Sequence, residues 1–146
     1  FRRVLFRSHD PFVPVSTTAL TDVCQVDIVA YPALGKYLTG AEAEITGALM
    51  TGAVGPEEGF AFEVCDESMT PAFRVGDVIV IDRTVQPEPG DYVIVDVSGD
   101  ILFRRYRARR AGFELVPENP DWETITSDEA TVVHGVMVEY RRYRRR

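Results

Sequence analysis

The chain has 146 residues, of which 45% are hydrophobic and 27% are charged, and its formal net charge is −7. This size predicts one domain that buries a core, and no run reaches the roughly 18 apolar residues that a membrane span needs. The acidic balance argues against a body that reads nucleic acid directly. The two cysteines, Cys24 and Cys65, form no metal spacing and no disulfide framework, so we predict reduced thiols, no metal and no cofactor.

Residues 1–59 are predicted to form an irregular N-terminal arm. Phe1–Ser8 is basic and does not match the sequence that follows it. One strand is predicted at Val23–Ala30. Glycines recur every few residues between Tyr31 and Gly59, which argues against one long helix and leaves only a short helical piece at Ala41–Met50.

From residue 60 to residue 140 the pattern predicts β-strands throughout. Short apolar or alternating runs are separated by turns of Gly, Pro and Asp, which is typical of an antiparallel, mainly β domain. A tight hairpin is predicted at Ser98-Gly99-Asp100, and a bulge at Gly135. The predicted strands are Phe60–Val64, Val78–Ile81, Tyr92–Val97, Ile101–Arg107, Phe113–Val116 and Thr131–Tyr140.

One serine lies where a predicted strand ends and a short turn begins. Ser68-Met69 follows the first of these strands, and Pro71 suits the start of a helical turn. Gly76-Asp77 then makes a turn before the next apolar strand. Unpaired backbone N–H groups at such a junction can hold an oxyanion. Ser68 is therefore the candidate nucleophile.

This ordered set resembles the nucleophile region of the LexA and phage-repressor serine peptidases, a family that includes UmuD; signal peptidases share part of it. The resemblance covers about Phe60–Tyr140, and Leu115–Pro120 separates the repressor branch from the signal peptidases. It implies a LexA/signal peptidase-like antiparallel β-ribbon, partly barrel-like, in a peptidase and dimerisation domain at residues 60–140, before a basic tail at 141–146. The matching segments are Glu67-Ser68-Met69, Pro71, Gly76-Asp77, Pro89-Gly90-Asp91, Leu115–Pro120 and Gly135-Val136.

The chain departs from this family at the expected general base. The family uses a buried neutral lysine about three dozen residues after the serine, and here Arg104 lies 36 residues after Ser68. Arginine stays protonated and cannot accept the serine proton. The resemblance then implies that self-cleavage is lost or severely reduced. Three alternative bases remain open: His134, an acid near Glu67, and Lys36, the chain's one lysine.

Without a lysine partner, Ser68 is expected to cap the short turn at Thr70–Phe73. Arg104 is then expected to pair with an acid such as Glu67 or Asp66.

The expected cleavage bond is also missing. Members of the family cut themselves at Ala-Gly or Cys-Gly ahead of the serine, and neither dipeptide occurs upstream of Ser68. The nearest substitutes are Leu34-Gly35 and Thr39-Gly40. The chain's one Ala-Gly, Ala111-Gly112, is interpreted as a hairpin turn.

Two functions stay open. The first is the C-terminal regulatory and dimerisation domain of a LexA-like or phage-type transcriptional repressor, cytoplasmic and homodimeric, with impaired self-cleavage. It would touch DNA only through a missing upstream domain, because no helix-turn-helix pattern occurs here and the chain does not begin with Met. The alternative is an active self-processing peptidase of the SOS response to DNA damage, which would contact a recombinase filament. Trp122 is interpreted as either an interface anchor or a core residue.

Overall fold

The computed structural model describes residues 23–144, and the basic segment Phe1–Ser8 lies outside them. Its strands form one mixed nine-stranded sheet in the order β2-β1-β3-β4-β9-β5-β6-β7-β8, and the sheet is not closed. This confirms the predicted mainly β fold. The elements are β1 (Cys24–Val29), a 3-10 helix (Tyr31–Ala33), α1 (Leu34–Leu38), β2 (Ile45–Thr51), β3 (Gly59–Glu63), β4 (Val78–Asp82), β5 (Tyr92–Val97), β6 (Asp100–Ala108), β7 (Phe113–Val116), β8 (Ile125–Thr126) and β9 (Val132–Arg141).

The six strands predicted after residue 59 are present to within one residue at each end. The predicted hairpin at Ser98-Gly99 joins β5 to β6, and both residues have positive φ, at 53° and 95°. Two consecutive positive φ angles give the turn whose twist matches that of the flanking strands. The sequence reading missed the two-residue strand β8, which pairs with β7.

The region before Gly59 differs from the prediction. The strand predicted at Val23–Ala30 is confirmed as β1, but the helical piece predicted at Ala41–Met50 is wrong. Most of that stretch lies in β2, which pairs antiparallel with β1 through partners such as Val26 and Leu49. Within residues 23–58, irregular backbone is found in connections such as residues 39–44 and 52–58. The domain boundary that we place at residue 59 stays a prediction.

The strands from β3 onward pair antiparallel with one another, as predicted, and the one parallel pair among the described strands involves β1, which lies ahead of the predicted β domain. Strands β1 and β3 run parallel, with Ile28 opposite Ala61 and Val29 opposite Phe62. The chain leaves β1, passes through α1 and returns along β2 on the outer side of β1. It therefore enters β3 in the same direction as β1.

An aromatic cluster forms the core behind the candidate nucleophile. Phe103 of β6 packs edge-on against Phe62 and Phe73, with ring centroids 5.5 and 5.2 Å apart. Phe60, Leu34 and the other members of this cluster are almost completely buried. These contacts fix β6 next to the segment that follows β3, so residue 104 is held close to residue 68.

Strand β9 contains the predicted bulge. Gly135 pairs with Ile94 and Val133 pairs with Val95, so His134 is the extra residue. A Cβ atom on Gly135 would lie 2.3 Å from Cγ2 of Ile81, and only glycine allows β9 to approach β4 this closely. Among residues 23–144, no helix is long and apolar enough to cross a membrane.

Candidate functional site

The segment between β3 and β4 carries Ser68. Its two ends are joined by hydrogen bonds from the Val64 N–H to the Asp77 carbonyl, at 2.8 Å, and from the Gly76 N–H to the Val64 carbonyl, at 2.9 Å. The predicted helical turn is a single turn, closed by the Phe73 N–H donating to the Met69 carbonyl at 2.8 Å. Ser68 lies at the start of this turn and is 2% exposed.

The hydroxyl of Ser68 makes two polar contacts. It donates to Oδ1 of Asp66 at 2.6 Å, and it accepts a hydrogen bond from Nη1 of Arg104 at 2.9 Å. The Ser68 backbone N–H also donates to Oδ1 of Asp66, at 3.0 Å. This N–H is therefore not one of the unpaired N–H groups that we expected at this junction.

Arg104 reaches Ser68 from β6 and is 5% exposed. Its Nη1 also donates to the Phe103 carbonyl at 2.9 Å, while its Nε has no hydrogen-bond partner among the described residues. Burial lowers the pKa of the Arg104 guanidinium, and the charge of Asp66 opposes this shift. The expected pairing of Arg104 with Glu67 or Asp66 is not a direct ion pair in the described part of the chain, because the Ser68 hydroxyl lies between Arg104 and Asp66.

Tyr31, from the 3-10 helix after β1, also borders the site. It lines the same small cavity as Ser68 and Arg104, and its hydroxyl donates to the Ile101 carbonyl on β6. The Tyr31 ring packs edge-on against Phe62 with centroids 5.6 Å apart. The remaining cavity is about 10 Å³, which is room for roughly one water molecule. Sequence reasoning missed Tyr31, which comes from a distant part of the chain.

The environment of Tyr31 keeps its phenol neutral. Burial raises the pKa of Tyr31, and the nearby Cys65 and Asp66 raise it further, while Arg104 acts in the opposite direction. A neutral phenol is the form that donates a hydrogen bond to the Ile101 carbonyl. The hydrogen bond from Tyr31 to Ile101 is therefore maintained across the neutral pH range.

The Leu115–Pro120 segment holds the serine turn through Asn119. The Asn119 backbone N–H donates to the Ser68 carbonyl at 3.0 Å, and its side-chain amide donates to the Glu67 carbonyl at 2.9 Å and to Oγ1 of Thr70 at 3.1 Å. This asparagine clamps the backbone on both sides of the serine. The motif that separates the repressor branch from the signal peptidases thus has a direct structural role at this site.

The candidate cleavage dipeptides do not line the Ser68 cavity. Leu34-Gly35 begins α1, and the Leu34 side chain is completely buried in the core. Thr39-Gly40 follows α1, where the Thr39 hydroxyl contacts the carbonyls of Gly35 and Lys36 and Gly40 has a φ of 87°.

The other candidate residues separate into two groups. Met69 lines the cavity and is 1% exposed, so it belongs to the core of the site. Gly76, with a φ of 99°, makes the predicted turn before β4. Asp77 lies outside the cavity and accepts hydrogen bonds from the Arg142 guanidinium. The alternative base His134 lies in β9 outside the cavity, and burial lowers its pKa.

Trp122 and residues 141–144, the described part of the basic tail, do not line the cavity either. Trp122 is 37% exposed, which contradicts the core alternative and leaves its role as an interface anchor a prediction. Within residues 23–144, no group of three His, Cys, Asp or Glu side chains is arranged to hold a metal ion.

The fold and the site together define a class of protein. In this class, a β-sheet domain buries a serine, here Ser68, next to a basic side chain from a later strand, here Arg104 of β6. A family model described as Peptidase S24-like matches residues 28–138. The chain belongs to this family.

Three curated proteins illustrate the similarity. The LexA repressor of Acidothermus cellulolyticus is 32% identical over 123 residues, which are 80% of this chain and 45% of that protein. The LexA repressor of Mycobacterium sp. (strain KMS) is 28% identical over 143 residues, 92% of this chain and 62% of that protein. Protein ImpA of Salmonella typhimurium is 33% identical over 84 residues, 56% of this chain and 57% of that protein. The chain thus spans about half the length of the curated relatives it matches.

Proposed function

We propose that this chain is the regulatory and dimerisation domain of a LexA-like or phage-type transcriptional repressor, and that its self-cleavage is impaired. The relatives named LexA repressor support the first part. The contact that carries the second part is the 2.9 Å hydrogen bond from Arg104 Nη1 to Ser68 Oγ.

The direction of this hydrogen bond decides the chemistry. A serine hydroxyl becomes a good nucleophile only when a neighbouring group takes its proton. The guanidinium donates a hydrogen bond to Ser68 Oγ and has no lone pair with which to accept the serine proton. Loss of general-base assistance costs roughly 10²–10⁴-fold in rate. Tyr31 lines the same cavity as Ser68, and the space left in that cavity is only about 10 Å³.

The domain would then serve the repressor by pairing two copies. A homodimer with two-fold symmetry presents two DNA-reading heads at the spacing of a palindromic operator. DNA contact belongs to a separate upstream domain in this proposal, since the chain is acidic overall. The proposal also gives the protein a cytoplasmic location, where repressors meet DNA. The exposed Trp122 is the residue we assign to the interface between copies.

Self-cleavage of the purified chain tests the proposal. The chain is incubated from neutral to alkaline pH, and its intact mass is followed beside that of Ser68→Ala. We expect both chains to stay intact. A fragment pair that forms from the unmodified chain and disappears in Ser68→Ala would contradict the impaired site and identify the cleaved bond.

The second candidate is an active self-processing peptidase, and one contact favours it. The Asp66 carboxylate accepts the Ser68 hydroxyl proton at 2.6 Å, which is the geometry that a general base requires. In this reading Asp66 takes the proton, and the Arg104 charge stabilises the serine alkoxide. Cleavage that occurs in the unmodified chain and is lost in Asp66→Asn would support this candidate. Contact with a recombinase filament belongs to this candidate alone.

A further inference from the structure

Position 104 and Asp66 are joined through a single oxygen atom. Ser68 Oγ donates to the Asp66 carboxylate at 2.6 Å and accepts from the Arg104 guanidinium at 2.9 Å. Two groups that contact the same oxygen lie within the ~4–6 Å over which an opposite charge favours the protonated form of a cation. Replacement of Arg104 alone leaves this carboxylate in place.

The other titratable groups around position 104 are arranged differently. Tyr31 and Cys65 line the inner cavity, and burial is the main cause that raises the pKa of each, so both stay neutral at neutral pH. On its outer side, Arg104 borders an open groove whose acidic residues form no ion pair with it among the described residues. These are Asp100, Asp121 and Glu123.

We propose that the Asp66 carboxylate keeps an amine at position 104 protonated, so that a general base returns only when Arg104 is replaced by lysine and Asp66 is replaced as well. This inference rests on the proposed function, because it concerns how the loss of the general base beside Ser68 could be reversed. Asp66 is then a positioning residue that sets the protonation state of its neighbour through the shared serine.

The physical argument compares two opposing effects on a lysine at this position. Burial disfavours the ammonium form and lowers its pKa, which is how a buried lysine becomes a base. A carboxylate at this distance favours the ammonium form and raises the pKa by about 1–3 units. Asparagine at position 66 removes the charge and keeps an oxygen that accepts the Ser68 hydrogen bonds. Only the charge therefore changes between the two lysine variants.

The composition of the chain makes the measurement direct. Lys36 is the single lysine, so Arg104→Lys in a Lys36→Arg background leaves one lysine in the whole protein. With lysine labelled at Cε by ¹³C, the NMR titration of that one signal reports its pKa. The variants to compare are Arg104→Lys, Arg104→Lys with Asp66→Asn, and Arg104→Lys with Asp100→Asn as the matched control.

We expect the lysine to titrate at least about one unit lower, a tenfold change in proton affinity, when Asp66→Asn is added. Asp100→Asn makes the same charge change in the outer groove and is expected to leave the titration within a few tenths of a unit. Equal titration with and without Asp66→Asn would overturn the inference, and so would an equal shift from Asp100→Asn. If the variant that combines Arg104→Lys with Asp66→Asn does not fold, Asp66→Ser takes the place of Asp66→Asn, because it makes the same charge change with a smaller side chain.

The reactivity of Ser68 gives a second readout that is separate from the lysine titration. At pH 8 we expect Ser68 to react with a fluorophosphonate at least tenfold faster in Arg104→Lys with Asp66→Asn than in Arg104→Lys alone. Cleavage of the unmodified chain would contradict the proposed function but leave the lysine titration to decide on Asp66. Lysine signals that titrate alike would remove the role of Asp66 and leave the proposed function standing.

Discussion

Two arginines tie the segment between β3 and β4 to distant strands, and they do so differently. Arg104 is 5% exposed, reaches Asp66 only through the Ser68 hydroxyl, and leaves its Nε without a partner among the described residues. Arg142 follows β9 and contacts Asp77 directly, with Nε at 3.0 Å and Nη2 at 2.7 Å from the carboxylate. We call the first set, Asp66, Ser68 and Arg104, the serine cluster, and the second the Asp77–Arg142 pair.

The difference shows that the Asp77–Arg142 pair stabilises the fold and that the serine cluster does not. The Asp77–Arg142 pair uses two guanidinium nitrogens on one carboxylate, an arrangement that is strong and geometrically specific, while the arginine remains in contact with solvent. The serine cluster buries a charge without giving it a full set of partners, which costs stability. Local arrangements that cost stability are concentrated at functional sites. The comparison therefore indicates that the serine cluster is not there to stabilise the fold, whereas the Asp77–Arg142 pair holds the loop.

The largest expected effect comes from breaking the serine cluster with Asp66→Ala. This change leaves Arg104 buried without its neighbouring carboxylate, and we expect the free energy of unfolding to fall by about 3 kcal/mol, as measured by urea denaturation. Adding Arg104→Met removes the uncompensated charge, and the double variant is expected to recover most of the loss. A loss below about 1 kcal/mol in Asp66→Ala would mean that water already compensates the Arg104 charge. The claim that the serine cluster costs stability would then be wrong.

A smaller effect is expected from Asp77→Asn. Burial of the Asp77 carboxyl opposes ionisation, but hydrogen bonds from Arg142 and the Arg74 N–H, with the charge of Arg142, outweigh it and lower the pKa of Asp77 below its usual 3.8. A lowered folded-state pKa gives stability that is present above pH ~4 and is lost as the pH falls through the folded-state pKa. We expect Asp77→Asn to cost about 1–2 kcal/mol at pH 7 and to flatten the acid limb of a urea-midpoint profile.

Asp121→Asn is the control for this experiment, because Asp121 is exposed and its carboxylate has no ion pair among the described residues. It is expected to leave the profile unchanged. An acid limb that is equally steep in the unmodified chain and in Asp77→Asn would show that other carboxylates carry the acid sensitivity.

The serine cluster and the rest of the site were predictable from sequence to different degrees. Ser68 was found as a serine at the end of a predicted strand, and Arg104 was found because the family resemblance implies a base about three dozen residues after that serine. Asp66 was considered as a partner of Arg104 and, among the acids near Glu67, as an alternative base. Its position two residues before Ser68 is typical of an Asx turn, in which the carboxylate accepts the backbone N–H, and this signal would have identified its contact with Ser68.

The parts that sequence reasoning missed depend on contacts between distant residues. Strand β2 contains Gly47 and is mostly exposed, so its own residues do not favour a strand; pairing with β1 decides its structure. Tyr31 meets Ile101 across 70 residues, and no local pattern marks a tyrosine for that role. The residues that form the serine cluster lie in recognisable motifs, whereas Tyr31, which lines the same cavity, does not.

The smallest expected effect comes from Tyr31, which lines the Ser68 cavity. Tyr31→Phe keeps the ring packed against Phe62 and removes the donor to the Ile101 carbonyl, so we expect a loss of about 1 kcal/mol in the free energy of unfolding at pH 7. Because burial raises the pKa of Tyr31 above its usual 10.0, its stabilisation is fully present below pH 10 and is lost as the pH rises through the folded-state value. Urea midpoints between pH 8 and 11 should therefore fall less steeply in Tyr31→Phe than in the unmodified chain. Tyr106→Phe, which removes a hydroxyl without a hydrogen-bond partner among the described residues, is expected to leave the slope unchanged. Equal slopes in all three chains would show that the site does not hold the phenol of Tyr31 in its neutral form. Ring packing against Phe62 alone would then hold Tyr31 in place.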